Sequence, residues 1–188
     1  MIYPPIMPER VRVLVSEWFA SRQTATVVFK EETNPENDPN VDDYLIAYEA
    51  FFEPESLEQA YGWVQVSTDG AVGIGIERWK RITERLGVRV GAGEYYGVRV
   101  AGGVELSFMN ESALLAILDL IADGQIAISP TVIPFLGLIS TKVVVPQNVL
   151  EELISKNVSG NSAFDWLTPV SQIKFTENRR LLHFNRWE

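Results

Sequence analysis

Carboxylates are the side chains of this sequence that are numerous enough to suggest catalysis or metal binding. The 188 residues include 25 Asp and Glu, a single histidine (His183) and no cysteine. Thiol nucleophiles, disulfides and cysteine-ligated metal sites are therefore excluded, and His183 has no second histidine with which to share a metal. What remains is carboxylate chemistry, as general acid and base or as oxygen ligands of a divalent cation.

No motif assigns a catalytic role to any of these carboxylates. Glycoside hydrolysis requires two carboxylates several ångström apart beside aromatic rings. Glu94, which two tyrosines follow, and Glu105 have suitable side chains, but no spacing selects them. Phosphate-binding glycine loops and the G-x-S-x-G turn are absent, and Gly73 and Gly75 fall in a predicted strand, where glycine allows close approach of another group. We predict no catalytic residues and no cofactor, and keep a small carboxylate- or metal-dependent enzyme as an alternative.

The segment from Asp38 to Glu49 partly follows the spacing of an EF-hand calcium loop. Asp38, Asn40 and Asp42 stand at positions 1, 3 and 5, and Glu49 stands at position 12. Asp43 occupies position 6, where the sharp turn requires glycine, and the residues before the segment do not continue a helix. We therefore interpret the segment as a solvated acidic loop, with calcium binding as the alternative.

The uneven distribution of basic residues is the most informative feature of the sequence. The chain has 16 Lys and Arg and a net charge of −9, yet none of these bases lies between Lys30 and Arg78. Residues 31–77 carry −12, which leaves +3 for the rest of the chain. We expect these acids to give one face of the protein a strong negative potential. They are Glu31, Glu32, Glu36, Asp38, Asp42, Asp43, Glu49, Glu53, Glu55, Glu58, Asp69 and Glu77.

Aromatic residues are interleaved with the acids in the same segment. They are Tyr44, Tyr48, Phe51, Phe52, Tyr61 and Trp63. Aromatic anchors surrounded by charge are typical of tight protein interfaces, where charge raises the association rate and the anchors slow dissociation. The alternative is that the rings face the core and only the acids face water, and the sequence leaves both arrangements open. An acidic surface suits a basic protein partner rather than nucleic acid or an anionic membrane.

Elements of mixed type are predicted to position these residues. Strand-forming residues and turn residues indicate strands at 11–18, 24–31, 88–90, 95–100, 104–108, 141–145, 171–176 and 180–187, and a hairpin at 63–76. Helical periodicity and capping residues indicate helices at 54–61, 77–86, 110–123 and 147–156. A helix at 11–19 is an alternative, 44–52 fit a helix or a strand, and 32–43 form an acidic loop rich in Pro and Asn.

This order of elements, without regular alternation, predicts an α+β fold. We expect one domain over residues 1–188, with a largely antiparallel sheet and three to four helices. Residues 124–141 are uncharged but interrupted by proline and glycine, which indicates a buried strand–turn–strand; a subunit interface is the alternative. Because we recognise no signal peptide and no membrane span, we expect a soluble, cytoplasmic protein.

In size and charge the chain is similar to the immunity proteins that bacteria pair with secreted toxins. That resemblance implies a non-enzymatic protein that neutralises a basic partner, such as a nuclease-like toxin domain. The alternatives are the carboxylate enzyme and a phage-type accessory or assembly protein. The residues predicted to bind the partner are Glu36, Asp38, Asp42, Asp43, Tyr44, Tyr48, Phe51 and Phe52.

Overall fold

The structure is a computed structural model that describes residues 7–33, 46–88, 104–106, 111–133, 137–156, 167–173 and 181–188. The helices in these ranges are α1 (Pro8–Arg22), α2 (Trp79–Leu86), α3 (Glu111–Ala122) and α4 (Gln147–Lys156). The strands are β1 (Val27–Thr33), β2 (Ile46–Pro54), β3 (Gly62–Ser67), β4 (Val72–Ile76), β5 (Val104–Leu106), β6 (Ala127–Ile133), β7 (Gly137–Val145), β8 (Thr168–Pro169) and β9 (Leu182–His183). The predicted α+β fold is thereby confirmed.

The larger sheet has five strands in the order β1-β2-β3-β4-β5, and all its neighbouring strands are antiparallel. Burial alternates along β2, so that Tyr48 and Phe52 face the core while Glu49, Phe51 and Glu53 are half-buried. Because successive side chains of a strand point to opposite faces, the last three residues share the outer face of this sheet.

The smaller sheet has the order β8-β7-β6-β9, in which only the β7–β8 pair is parallel. β6 and β7 are the two strands predicted within residues 124–141 and pair antiparallel, the residues between them lie outside the described ranges, and Ile126, Ile128 and Ser129 are buried. The burial of these three residues agrees with the prediction that this segment belongs to the core. A single cluster of buried side chains joins both sheets and all four helices described above, which makes the fold one domain.

Two helices end at glycines, as predicted. Gly87 after α2 and Gly124 after α3 have φ angles of 64° and 65°, a left-handed conformation that only glycine adopts without strain. At Gly124 an added Cβ would also lie 2.6 Å from the backbone oxygen of Phe184. The C-terminal residues therefore pack directly against the turn that ends α3.

The prediction of a strand at residues 11–18 is wrong. These residues belong to α1, which begins at Pro8, and the alternative of a helix at 11–19 is confirmed. Pro is favourable in the first turn of a helix, and Val11, Val15 and Trp18 recur at helical spacing on its buried side. The β-branched Val11 and Val15 and the aromatic Trp18 favour a strand by local preference, but packing of this face on the core determines the structure.

The predicted helix at residues 54–61 is also wrong, because this segment forms a turn. The guanidinium of Arg81 donates hydrogen bonds to the backbone oxygens of Pro54, Ser56 and Gln59, at 3.3, 2.8 and 2.8 Å. An irregular turn can direct these carbonyls toward one side chain, whereas an α-helix would direct them along its axis.

The two strands predicted near the C-terminus are shorter than expected or differ in type. Residues Val170–Gln172 form a 3-10 turn, and the strand predicted at 180–187 is reduced to β9. The hairpin at 63–76, the strand alternative at 44–52 and the helices at 77–86, 110–123 and 147–156 are confirmed. Residues 89–100, which contain almost all of two predicted strands, lie outside the described ranges. Among the helices described, none is long and apolar enough to cross a membrane.

Candidate functional site

The structure describes three of the eight residues predicted to bind a partner. Tyr48 and Phe52 are 1% and 0% exposed, so their rings belong to the core and offer no surface to a partner. Phe51 is half-buried on the outer face of the larger sheet. The other five lie in the connection between β1 and β2, outside the described residues; they are Glu36, Asp38, Asp42, Asp43 and Tyr44.

Among the described residues, four acids of the 31–77 segment form ion pairs with bases that come from outside the segment. One is Glu31, which points toward α1, accepts a hydrogen bond from Ser16 and lies 3.9 Å from Arg12. The other three lie toward the end of the larger sheet where β2 and β4 end and β3 begins. Their partners are Lys30 and Arg78 for Glu53, Arg85 for Glu58 at 2.8 Å, and Arg81 for Glu77 at 2.7 Å. The fold thus neutralises much of the negative charge at this end, which we call the paired end.

The opposite end of the same sheet, which we call the acidic end, is built from residues 32–33, 46–49 and 64–73, which include no Lys or Arg. Here β1 and β3 end and β2 and β4 begin, and residues 34–45, which join β1 to β2 in the sequence, lie outside the described ranges. Glu32 and Glu49 are direct cross-strand partners, an arrangement of like charges that destabilises a sheet. The described acids of this end are Glu32, Glu49 and Asp69, whereas the connection that contains Glu36, Asp38, Asp42 and Asp43 lies outside the described residues.

Two aromatic side chains, Phe51 and Trp63, occupy the outer face between these two ends, as direct partners across β2 and β3. Both are half-buried. The indole of Trp63 lies over β4. A Cβ atom added at Gly75 would overlap the Nε1 and Cε2 atoms of this indole, and a Cβ atom added at Gly73 would lie 3.5 Å from its Cζ3 atom. The two glycines therefore allow the close approach that the sequence predicted, and the approaching group is this indole.

Glu77 is a fully buried carboxylate, 0% exposed, with a φ of 65° that non-glycine residues rarely adopt. Its Oε1 atom accepts hydrogen bonds from the Nε of Arg81 at 2.7 Å and from the backbone N–H of Arg78 at 3.0 Å. Burial raises the pKa of Glu77 even though Arg81 opposes this effect. A raised pKa suits a general acid, but this carboxylate has no solvent access and is bound by protein groups, which indicates a structural role.

We expect the wild type to lose stability relative to Glu77→Gln as the pH rises from about 4 to about 7. The pKa of Glu77 in the folded chain lies above its ordinary value of 4.5, so the unfolded chain releases the proton first. Between the pKa of Glu77 in the unfolded chain and its pKa in the folded chain, a rise in pH therefore lowers the free energy of unfolding of the wild type. Glutamine has no proton to lose, so the variant does not show this effect. Urea unfolding across this pH range measures the difference, and parallel stability curves for the two proteins would contradict the expectation.

A polar cavity of about 330 Å³ lies between α1, α3 and the C-terminal residues. Arg22 pairs there with Asp119 and with Asp123 (2.9 Å), and Arg186 lies 3.4 Å from Asp123. Trp18 donates its indole N–H to Asp119 at 2.8 Å. Because these two arginines and two aspartates bind one another and cancel in charge, the cavity indicates no particular ligand.

The elements that flank residues 38–49 do not fit the EF-hand alternative. An EF-hand loop joins two helices, whereas β1 and β2 are paired antiparallel strands with Thr33 opposite Tyr48. Glu49, at position 12 of the pattern, lies in β2 and accepts a hydrogen bond from Gln65 at 3.0 Å. Within the described ranges, no three His, Asp or Glu side chains come together as metal ligands do.

Two of the remaining sequence candidates lie in different sheets. His183 is exposed in β9 of the smaller sheet, and Glu105 lies in β5 of the larger sheet. Glu94 falls outside the described residues. Compared with known proteins, the chain matches no family model, no curated protein and no solved structure.

Proposed function

We propose that this protein is a non-enzymatic binding protein that neutralises a basic protein partner by covering the partner's active surface with its acidic end. One observation carries the proposal, namely the sorting of the acids in residues 31–77. At the paired end, bases from outside the segment form ion pairs with three of these acids. At the acidic end, residues 32–33, 46–49 and 64–73 include no Lys or Arg.

This sorting supports a role in binding because it has a cost for the isolated protein. Glu32 and Glu49 stand directly opposite each other, and four further acids lie in the connection between their strands. Repulsion among them destabilises the free protein, whereas a basic partner removes that repulsion when it binds. The same field accelerates diffusional encounter with a cationic surface. Phe51, next to Glu49 on the outer face, is the predicted anchor residue that remains available for contact.

A partner with a concave basic surface fits these properties best. Such surfaces occur on nucleic-acid-processing enzymes, where Lys and Arg bind phosphate groups. An acidic protein that covers this surface inhibits the enzyme without chemistry of its own. The proposal therefore keeps the immunity-protein class, with a nuclease-like toxin domain as the partner and the cytoplasm as the place of action.

The test is an affinity capture from lysate of the native host, with partners identified by mass spectrometry. The four-acid variant combines Glu36→Gln, Asp38→Asn, Asp42→Asn and Asp43→Asn, which removes four charges at the acidic end. The control variant removes four exposed charges elsewhere on the chain. It combines Glu17→Gln, Glu55→Gln, Glu84→Gln and Glu151→Gln.

We expect wild type and the control variant to retain the same basic protein and the four-acid variant to lose it. Because both variants have the same net charge, this result would separate a located binding surface from a general effect of acidity. If all three proteins retain the same set of partners, or none retains any, the proposed function is contradicted.

A further inference from the structure

We infer that the outer face of the larger sheet contains a binding site for a cationic side chain, an arginine or lysine of the basic partner, on the indole ring of Trp63. The inference rests on the proposed function, because it names the group of the partner that this face recognises. It depends on three features of the described residues: the position of the indole, the carboxylate next to it and the pairing of the nearest base.

The indole of Trp63 lies on the outer face of the sheet, over β4. Trp63 covers the backbone of both Gly73 and Gly75, so one face of the ring lies against β4. The opposite face points away from the sheet, and the side chain is half-buried rather than enclosed. Its Nε1 atom is buried without a hydrogen-bond partner, so what the side chain offers to a ligand is the ring face. A ring face attracts cations through its quadrupole.

Glu49 supplies the negative charge that a bound cation needs. It is the diagonal neighbour of Trp63 across β2 and β3, because Trp63 pairs with Phe51 and Glu49 pairs with Gln65. Diagonal neighbours are about 7–8 Å apart at the backbone, which is within reach of long side chains. Gln65 donates a hydrogen bond to the Oε1 atom of Glu49 at 3.0 Å and thereby holds this carboxylate over the sheet.

The base in the same cross-strand row as Trp63 already has a carboxylate partner. Lys30 is the cross-strand partner of Phe51, in the same row as Trp63, and its ammonium group is bound by Glu53. The protein uses the same kind of contact internally, since the guanidinium carbon of Arg78 lies 4.1 Å from the ring centroid of Tyr61. A guanidinium from a partner can therefore stack on Trp63 while it pairs with Glu49.

The experiment is a titration of the ¹⁵N-labelled full-length protein, followed through the indole N–H resonances of its 5 tryptophans. Comparison with Trp63→Phe assigns the resonance of Trp63. The probes are N-acetyl-argininamide and N-acetyl-citrullinamide, which have nearly the same shape but differ in charge. We expect argininamide to shift the Trp63 resonance in a saturable way and citrullinamide to leave it unchanged.

Two variants show whether the site has the described geometry. Glu49→Gln should raise the dissociation constant for argininamide about two- to fivefold, the fold-change that corresponds to the loss of an exposed ion pair. Gly75→Ala should abolish the shift, because its methyl group would displace the indole while Trp63 is retained. If Gly75→Ala does not fold, Glu49→Gln decides alone. No shift with argininamide, or an equal shift with both probes, would overturn the inference.

The outcomes for the binding site and for the proposed function can be separated. Saturable binding of argininamide at Trp63, without capture of a basic protein by the wild type, would support the site and contradict the proposed function. Capture of a basic protein through the acidic end, without a response of Trp63 to argininamide, would support the proposed function and overturn the site.

Discussion

Replacing Arg81 by methionine is expected to lower the free energy of unfolding by about 3–5 kcal/mol, the cost typical of removing one partner of a buried ion pair. The carboxyl group of Glu77 is 0% exposed, so without the guanidinium it must either hold an unpaired buried charge or take up a proton, and both cost stability at neutral pH. The turn at 54–61 would also lose its donors, because Arg81 binds three of its backbone oxygens. Urea unfolding followed by circular dichroism measures the loss.

The matched control is Arg10→Met, which breaks an ion pair with Glu111 whose side chains are 53% and 42% exposed. Exposed pairs contribute about 0–1 kcal/mol, so this substitution should have little effect. The double variant Arg81→Met with Glu77→Gln should recover part of the lost stability, because no charge then remains buried. Equal losses for Arg81→Met and Arg10→Met would show that the Glu77–Arg81 pair does not hold the turn.

Leu118→Ala is expected to reduce the free energy of unfolding by about 2–5 kcal/mol, the range for leucine-to-alanine changes in a core. Leu118 lies in α3, is 0% exposed and belongs to the cluster that joins the two sheets. The cost combines the lost burial of the side chain with the cavity that it leaves. Leu115→Ala, at a partly buried position of the same helix, should cost clearly less. A loss below about 1 kcal/mol for Leu118→Ala would place the core elsewhere.

Elements with clear local turn and capping residues could be predicted from the sequence. Gly87 and Gly124 mark the ends of α2 and α3, and the turn around Asp69 joins the two strands of the predicted hairpin. In these places the local preference and the tertiary structure agree, because the glycines adopt the left-handed conformation that the chain reversal requires. The pattern of hydrophobic residues was sufficient there without knowledge of distant contacts.

Elements determined by distant contacts could not be predicted. Val11 and Val15 favour a strand locally, but they lie on the buried side of α1, which packs against β2 and α3. The conformation of residues 54–61 depends on Arg81, which is more than 20 positions further along the chain. Short apolar segments fit helices and strands equally well, and their type is decided by the surface that they cover.

The candidate site was only partly visible in the sequence for the same reason. The absence of bases between Lys30 and Arg78 is plain in the residue order, but the pair of Glu58 with Arg85 forms only when α2 packs beside the sheet. Because residues 44–52 fit either a helix or a strand, the sequence did not show that Phe51 faces away from its buried neighbours. That arrangement follows from the alternation of side chains along a strand. Gly73 and Gly75, two residues apart in one predicted strand, were the only local sign that a large group lies against this strand, and that group is the indole of Trp63.

The central claim is that the acidic end steers a basic partner into the complex. The most direct measurement is the association rate constant of the captured partner with wild type, the four-acid variant and the control variant, by stopped-flow over a series of salt concentrations. We predict a rate at low salt about tenfold or more lower for the four-acid variant, with a flatter salt dependence, and a control variant close to wild type. Equal rates and equal salt dependence for all three proteins would contradict the claim.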